Sequence, residues 1–135
     1  MSVVLQRANW NEEAERKMAE AIGNDPTYSI ADLKTEVARG STVLFAVIDM
    51  AVSPAERLGY CCLWVDPVGQ ARELVIQAGA SLVGTRNGLK RAMPALIQEM
   101  KNKNCQHMRA HTSNRAVGRA LRAAGAKLAE EVYRF

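Results

Sequence analysis

The stretch from His111 to Ala126 constrains the fold most, because it combines a helix start, an amphipathic repeat and a helix stop. Ser113 and Asn114 are suited to cap a helix, since their short polar side chains accept a hydrogen bond from a free N–H. Small apolar residues then recur at helical spacing in one narrow stripe: Ala116, Val117, Ala120, Leu121 and Ala124. Arginines line the other side, and Gly125 provides a left-handed stop. The stretch predicts the end of a strand followed by a short amphipathic helix.

The totals favour an ordinary globular protein. A length of 135 residues suits one domain, and shares of 48% hydrophobic and 24% charged residues are typical of that class. No apolar run approaches the roughly 20 residues that span a bilayer, and residues 1–7 do not resemble a signal peptide. The three cysteines form neither a disulfide framework nor a zinc pattern. We therefore expect a single domain over residues 1–135, a cytoplasmic location, no membrane partner and no metal.

The charge is divided between the two halves of the chain. Residues 1–70 hold six Lys/Arg and ten Asp/Glu, net −4, whereas residues 71–135 hold twelve and four, net +8. The basic half would attract a polyanion such as a nucleotide, coenzyme A or nucleic acid, or it is a solvated surface. Because no aromatic residue is interleaved with the arginines for base stacking, we expect at most weak, salt-sensitive nucleic-acid binding.

Turn and cap signals divide the first part of the chain into elements. Residues 3–5 form a short strand candidate, and Asn9 with Glu12 predicts a capping box at the start of a first helix. Ser29 with Asp32 predicts the cap of a second helix that ends at Gly40. Three strand-like runs follow and predict an antiparallel meander: Thr42–Met50, Leu58–Val65 and Arg72–Ala78. Within the second run, adjacent Cys61 and Cys62 should point to opposite faces of the sheet.

The rest of the chain predicts helix, strand, helix, strand. The longest helix contains Pro94, so it either starts near Ala92, with the proline in its first turn, or is kinked there. Residues 108–112 are the next strand, the Asn114 helix follows, and Leu128–Phe135 closes as a final strand.

This element order, together with the spacing after Asn114, resembles the GNAT superfamily of N-acetyltransferases. Members carry an Asn, a small apolar residue at +3, often a Tyr at +7, and Gly with an aromatic at +11 and +12. The corresponding residues here are Asn114, Val117, Leu121, Gly125 and Ala126. Leu121 stands where many members have the tyrosine that protonates the departing thiolate. The resemblance implies an α+β fold with a mixed, mainly antiparallel central sheet flanked by helices, forming one acyl-CoA N-acyltransferase domain.

The resemblance also implies acetyl-CoA as the cofactor. Members bind its pyrophosphate with the pattern Arg/Gln-x-x-Gly-x-Gly/Ala, whose glycines let backbone N–H groups reach phosphate at a helix N-terminus. With Gly88 as the first glycine, Thr85 replaces the Arg/Gln and Lys90 replaces the second small residue. The predicted cofactor-binding residues are Gly84, Thr85, Arg86, Asn87, Gly88, Leu89, Lys90 and Asn114. Arg91 is a further candidate cation, and a solvated basic turn is the alternative.

Two residues are candidate general bases for an acceptor amine. The resemblance places Glu73 where many members have the catalytic carboxylate, and His111 lies at a strand end beside the expected site. Each also has an ordinary structural interpretation, as a solvated carboxylate or a structural histidine. The amine or protein acceptor cannot be read from the sequence.

A second resemblance is to the acetyltransferase-like internal virion proteins of short-tailed bacteriophages. It rests on Leu121, Gly125-Ala126, Glu130-Glu131, Tyr133 and Phe135, and on the altered loop. The implied alternative is a catalytically degenerate phage protein, either a virion component or a modulator of a host protein. Its partner would then be a phage or host protein, and whether the chain turns over substrate stays open.

Overall fold

The structure is a computed structural model that describes residues 2–67, 71–82, 84–112, 115–129 and 135. Strands and helices follow one another in the order that the sequence predicts up to the fourth helix. The elements are β1 (Val3–Arg7), α1 (Glu12–Ile22), α2 (Ile30–Arg39), β2 (Val43–Asp49), β3 (Glu56–Asp66), β4 (Glu73–Ser81), α3 (Gly88–Asn102), β5 (His107–Ala110) and α4 (Arg115–Ala123). No helix in this described part is long and apolar enough to cross a bilayer.

The strands form one sheet in the order β1-β2-β3-β4-β5. Pairing is antiparallel from β1 to β4 and parallel between β4 and β5, which confirms the mixed, mainly antiparallel sheet. The predicted last strand falls mainly on residues 130–134, which lie outside the described residues, and Leu128 and Ala129 lie in no strand.

Side-chain caps position the first two helices. The α1 cap is Asn11, whose Oδ1 accepts from the Ala14 N–H at 2.8 Å, so the predicted cap at Asn9 is wrong by two residues. The α1 first turn is acidic, which suits the positive end of the helix. The α2 cap is confirmed, since the Asp32 N–H donates to Ser29 Oγ and the Ser29 N–H donates to Asp32 Oδ2 at 2.8 Å.

Helix α3 begins at Gly88 and contains Pro94. Of the two alternatives that the sequence left open, a start near Ala92 is therefore wrong. Proline cannot donate to the carbonyl of Lys90, four residues earlier. Both Lys90 and Pro94 are exposed, which lets water replace the missing hydrogen bond.

The sheet is covered on both faces. On one face α3 packs against a cluster that includes Val47, Leu63 and Leu96, and on the other α1 and α2 pack against Leu44 and Ile48. Cys61 belongs to the α3-side cluster and Cys62 to the α1-side cluster, which confirms that their side chains point to opposite faces. Both are free thiols.

Strands β3 and β4 approach closely at Gly59, where an added Cβ would collide with the carbonyl oxygen of Ala80. We expect Gly59→Ala to lower the free energy of unfolding by about 2 kcal/mol or more, because backbone must move to relieve the overlap. Gly118→Ala is the matched control. Its Cβ would meet Arg122 Nη1 at 3.6 Å, and a helical Gly→Ala change stabilises by up to about 1 kcal/mol. Equal urea midpoints for the two variants would contradict this account.

Candidate functional site

The parallel strands β4 and β5 separate after the pair formed by Ile76 and Ala110. The next residue of β4, Gln77, is a bulge, because Leu63 of β3 pairs with Ile76 while Cys62 pairs with Ala78. An extra residue of this kind bends a strand and interrupts its ladder. Beyond it β4 continues to Ser81, whereas the chain leaves the sheet after Ala110. The backbone edge of β4 from residue 77 onward is therefore not paired with β5.

A cleft of about 330 Å³ lies at this separation. Its walls are β4 from residue 76 to 81, the first turns of α3, residues 110–112, and the α4 side chains Val117, Ala120 and Leu121. It is also lined from both faces of the sheet, by Leu58 and Cys61 on the α3 side and by Glu20 and Tyr60 on the α1 side. A ligand in the cleft is thus accessible to groups from both faces.

The lining is mainly apolar with a few polar groups, as in small-molecule sites. Burial raises the pKa of the Cys61 thiol, so this side chain stays neutral. Cys61 therefore lines the cleft without acting as a nucleophile. Among the described residues no group of three or more His, Cys, Asp or Glu side chains could hold a metal ion.

The cleft reaches the N-terminus of α3, where Gly88 and Leu89 line it. Asn87 precedes the helix in a left-handed conformation (φ 52°) and its side chain makes no capping hydrogen bond. The Arg91 N–H donates to the Asn87 carbonyl at 2.8 Å, which leaves the N–H groups of Gly88, Leu89 and Lys90 without an intrahelical acceptor. Three N–H groups at the positive end of a helix favour an anion.

Gly88 allows this helix start to lie against the end of β4. An added Cβ at Gly88 would collide with Ser81 Oγ. The preceding turn is closed by the Thr85 N–H, which donates to the Leu82 carbonyl at 3.1 Å. The segment that carries the predicted phosphate contacts is therefore held directly beside the cleft.

The three cations near this helix start differ in their partners. Arg91 donates to Asp49 Oδ2 at 2.9 Å and lies 3.6 Å from Glu56 Oε2, so it ties α3 to the β2–β3 turn. Arg91 is therefore less available for a phosphate contact than a cation without such partners. Arg86 and Lys90 are exposed, as is Gly84, and within the described ranges neither cation has an ion pair. Two cations are thus left for an anion at the α3 N-terminus.

The structure does not bring the two candidate bases together. His111 lines the cleft, next to the last paired residue of β5. Glu73 lies at the start of β4, about 13 Å along the strand from Gln77, and does not line the cleft. Its carboxylate accepts from Arg109 Nη1 at 2.9 Å. The catalytic roles of both residues stay predictions.

Two residues that line the cleft, Tyr60 and Gln77, are not among those predicted from the sequence. The Tyr60 hydroxyl donates to Glu13 Oε1 at 2.7 Å and accepts from Arg57 Nη1 at 2.9 Å. Burial, and then the hydrogen bond to Glu13, raises the pKa of Tyr60, while the hydrogen bond from Tyr60 lowers the pKa of Glu13. Strand alternation predicts that Tyr60 lies on the α1 face of the sheet. No local sequence signal shows that the part of β4 that pairs with Tyr60 is separated from β5.

Leu121 lines the cleft. Its correspondence to the tyrosine of the resembled family stays a prediction. Asn114 and Ser113, the predicted helix caps, lie outside the described residues, as do Glu130, Glu131 and Tyr133.

The chain is similar to known proteins in its structure alone. No protein-family model and no curated protein sequence matches the chain. Its structure is similar to that of AAC(6')-Iy in complex with the bisubstrate analogue CoA-S-monomethyl-acetylneamine, with 16% identity, a TM-score of 0.68, and coverage of 100% of this chain and 97% of that one. A Trypanosoma brucei acetyltransferase matches with 14% identity, a TM-score of 0.57 and 98% of both chains. A mutant protein from Bacillus halodurans matches with 13% identity, a TM-score of 0.69, and 100% and 98% coverage. The chain therefore has the GNAT-like acetyltransferase fold.

Proposed function

We propose that this chain is a single GNAT-type domain that binds acetyl-CoA in the cleft and transfers the acetyl group to an amine. The observation that carries the proposal is the separation of β4 from β5 into a cleft that reaches the uncapped N-terminus of α3. The neighbour AAC(6')-Iy, of the same fold, was solved with a CoA-containing analogue. Acetyl-CoA is the cofactor that this arrangement suits best.

The residues present fit the cofactor in three parts. The pyrophosphate would be held by the N–H groups of Gly88, Leu89 and Lys90 and by the cationic side chains of Arg86 and Lys90. The amides of the pantetheine arm match the backbone edge of β4 beyond residue 76, with which β5 does not pair, in the manner of an added strand. The apolar part of the arm would lie against Val117, Ala120 and Leu121. Gly84, Thr85 and Asn87 shape the turn, and Asn114 stays a predicted contact.

When bound, acetyl-CoA supplies an activated acetyl thioester. The chain would hold the accepting amine on the α1 side of the cleft, near Glu20 and Tyr60. His111, which lines the cleft, would remove the amine proton, since an imidazole is a suitable base near neutral pH. Glu73 would act only through intervening water. Leu121 has no proton to donate, so the leaving thiolate would take its proton from water.

The second candidate function is cofactor or partner binding without turnover, which is the form that a degenerate phage protein would take. The observation that favours it is the aliphatic Leu121 in the cleft wall, where a proton donor would serve the reaction. The phage origin, the virion or cytoplasmic location and the protein partner stay predictions. A measurement of acetyl transfer distinguishes the enzyme from the binding protein without turnover.

The test is release of free thiol from acetyl-CoA over a panel of amines and peptides. We expect Leu121→Tyr to raise the acetylation rate about tenfold, because a phenol in the cleft wall can protonate the thiolate. Acetyl-CoA affinity should hardly change, and Leu121→Phe, which adds the ring without the hydroxyl, is the matched control. Only background hydrolysis in all three proteins, with acetyl-CoA bound, would favour the non-enzymatic candidate.

A further inference from the structure

Trp64 fixes the orientation of the Gln77 side chain at the bulge. Trp64 Nε1 donates to Gln77 Oε1 at 2.8 Å. An indole N–H can only donate, so the amide oxygen must face the tryptophan and the –NH₂ end must face away from it. The orientation of this carboxamide therefore follows from the chemistry of its partner.

The –NH₂ group of Gln77 is open to a ligand. No hydrogen bond from Gln77 Nε2 occurs within the described part of the chain, where Gln77 is present only as the acceptor from Trp64. In the same residues every fully buried side-chain nitrogen or oxygen has a hydrogen-bond partner, which Nε2 does not have. Nε2 must therefore be accessible, and Gln77 is a residue that lines the cleft.

Trp64 is itself held by a charged cluster on the same face of the sheet. The Arg109 guanidinium lies 5.8 Å from the centre of the Trp64 ring, within the range of a cation–π contact. Arg109 also donates to Asp66 Oδ2 at 3.0 Å and to Glu73 Oε1 at 2.9 Å. A continuous set of contacts thus runs from Glu73 and Asp66 through Arg109 and Trp64 to Gln77.

We infer that Gln77 Nε2 donates a hydrogen bond to the carbonyl oxygen of the bound acyl group, and that Trp64 is the positioning residue that directs it there. The inference rests on the proposed function. An –NH₂ group donates and cannot take a proton from an ammonium acceptor, so the acyl oxygen is its matching partner. As the amine nitrogen bonds to the acyl carbon, the C–S bond breaks with its electron pair on sulfur, and the amine proton leaves to base or water. The Gln77 N–H stabilises the negative charge that develops on the acyl oxygen.

The side-chain test is Gln77→Glu, whose carboxylate still accepts from Trp64 but has no N–H to offer. We expect the rate to fall tenfold or more while the affinity for free CoA, which carries no acyl group, stays within about twofold. Trp64→Phe should lower the rate in the wild-type background and add nothing in the Gln77→Glu background, since it acts through Gln77. Additive losses in the double variant would overturn the positioning role.

The direct test does not require turnover. The infrared carbonyl stretch of ¹³C-labelled acetyl-CoA should shift to lower frequency on binding wild type, and the shift should shrink in Gln77→Glu. If acetyl-CoA binds and the stretch is the same in wild type and variant, the Gln77 assignment is overturned while the proposed function stands. If wild type does not bind acetyl-CoA, the proposed function fails and this inference fails with it.

Discussion

Acetyl-CoA is expected to bind about a hundredfold more weakly to the Arg86→Ala/Lys90→Ala variant than to wild type. Both side chains are exposed beside the uncapped start of α3, and each would make a charge-assisted contact worth roughly 1.5 kcal/mol or more with phosphate. Because neither side chain has an ion pair within the described residues, the melting temperature should hardly change. Isothermal titration calorimetry measures the affinity, and a thermal melt measures the stability.

The matched control is Arg39→Ala/Lys101→Ala, which removes the same charge from exposed positions on the last turns of α2 and α3, neither of which lines the cleft. It should cost little affinity at physiological salt, because exposed charges more than about 8 Å from the ligand are largely screened. Equal losses in the two double variants would show a general effect of net charge. Unaltered affinity in the first variant would remove the phosphate site from the α3 N-terminus.

Ala120→Trp is expected to abolish acetyl-CoA binding, with a loss of more than about a hundredfold, because the indole would occupy the cleft. Ala120 lines the cleft from α4 and is exposed, so the larger side chain does not have to enter the core. The folded state should therefore be retained, as near-ultraviolet circular dichroism would show. Calorimetry with acetyl-CoA measures the loss.

Ala123→Trp is the control for Ala120→Trp, since Ala123 lies on the same helix, is exposed and does not line the cleft. We expect it to bind acetyl-CoA as wild type does. If both tryptophan variants bind normally, the cleft between β4 and β5 is not the cofactor site.

Local side-chain chemistry made much of the fold predictable. The Ser29 cap, with Asp32 in the first turn, and the helix end at Gly40 depend only on neighbouring residues, and both are confirmed. The wrong prediction of the α1 cap also has a local cause, because two asparagines, Asn9 and Asn11, precede the acidic first turn of this helix. Asn9 has Glu12 at the capping-box spacing, yet Asn11 makes the hydrogen bond.

The candidate site was less predictable because it arises from how strands pair. Gln77 sits in an ordinary strand-like run, and its bulge exists only relative to the register of β3. Arg91 donates a hydrogen bond at 2.9 Å to Asp49, which lies 42 residues earlier in the chain. The hydrogen bond from Arg109 to Glu73 likewise joins residues far apart in the chain. Residue type and local spacing do not encode these long-range contacts.

The most direct test of the account is a calorimetric titration of the wild-type chain with acetyl-CoA. We expect saturable binding at one site per chain, with a Kd below about 1 mM, and loss of this binding in Ala120→Trp but not in Ala123→Trp. Absence of binding by the folded wild-type protein at millimolar acetyl-CoA would contradict it.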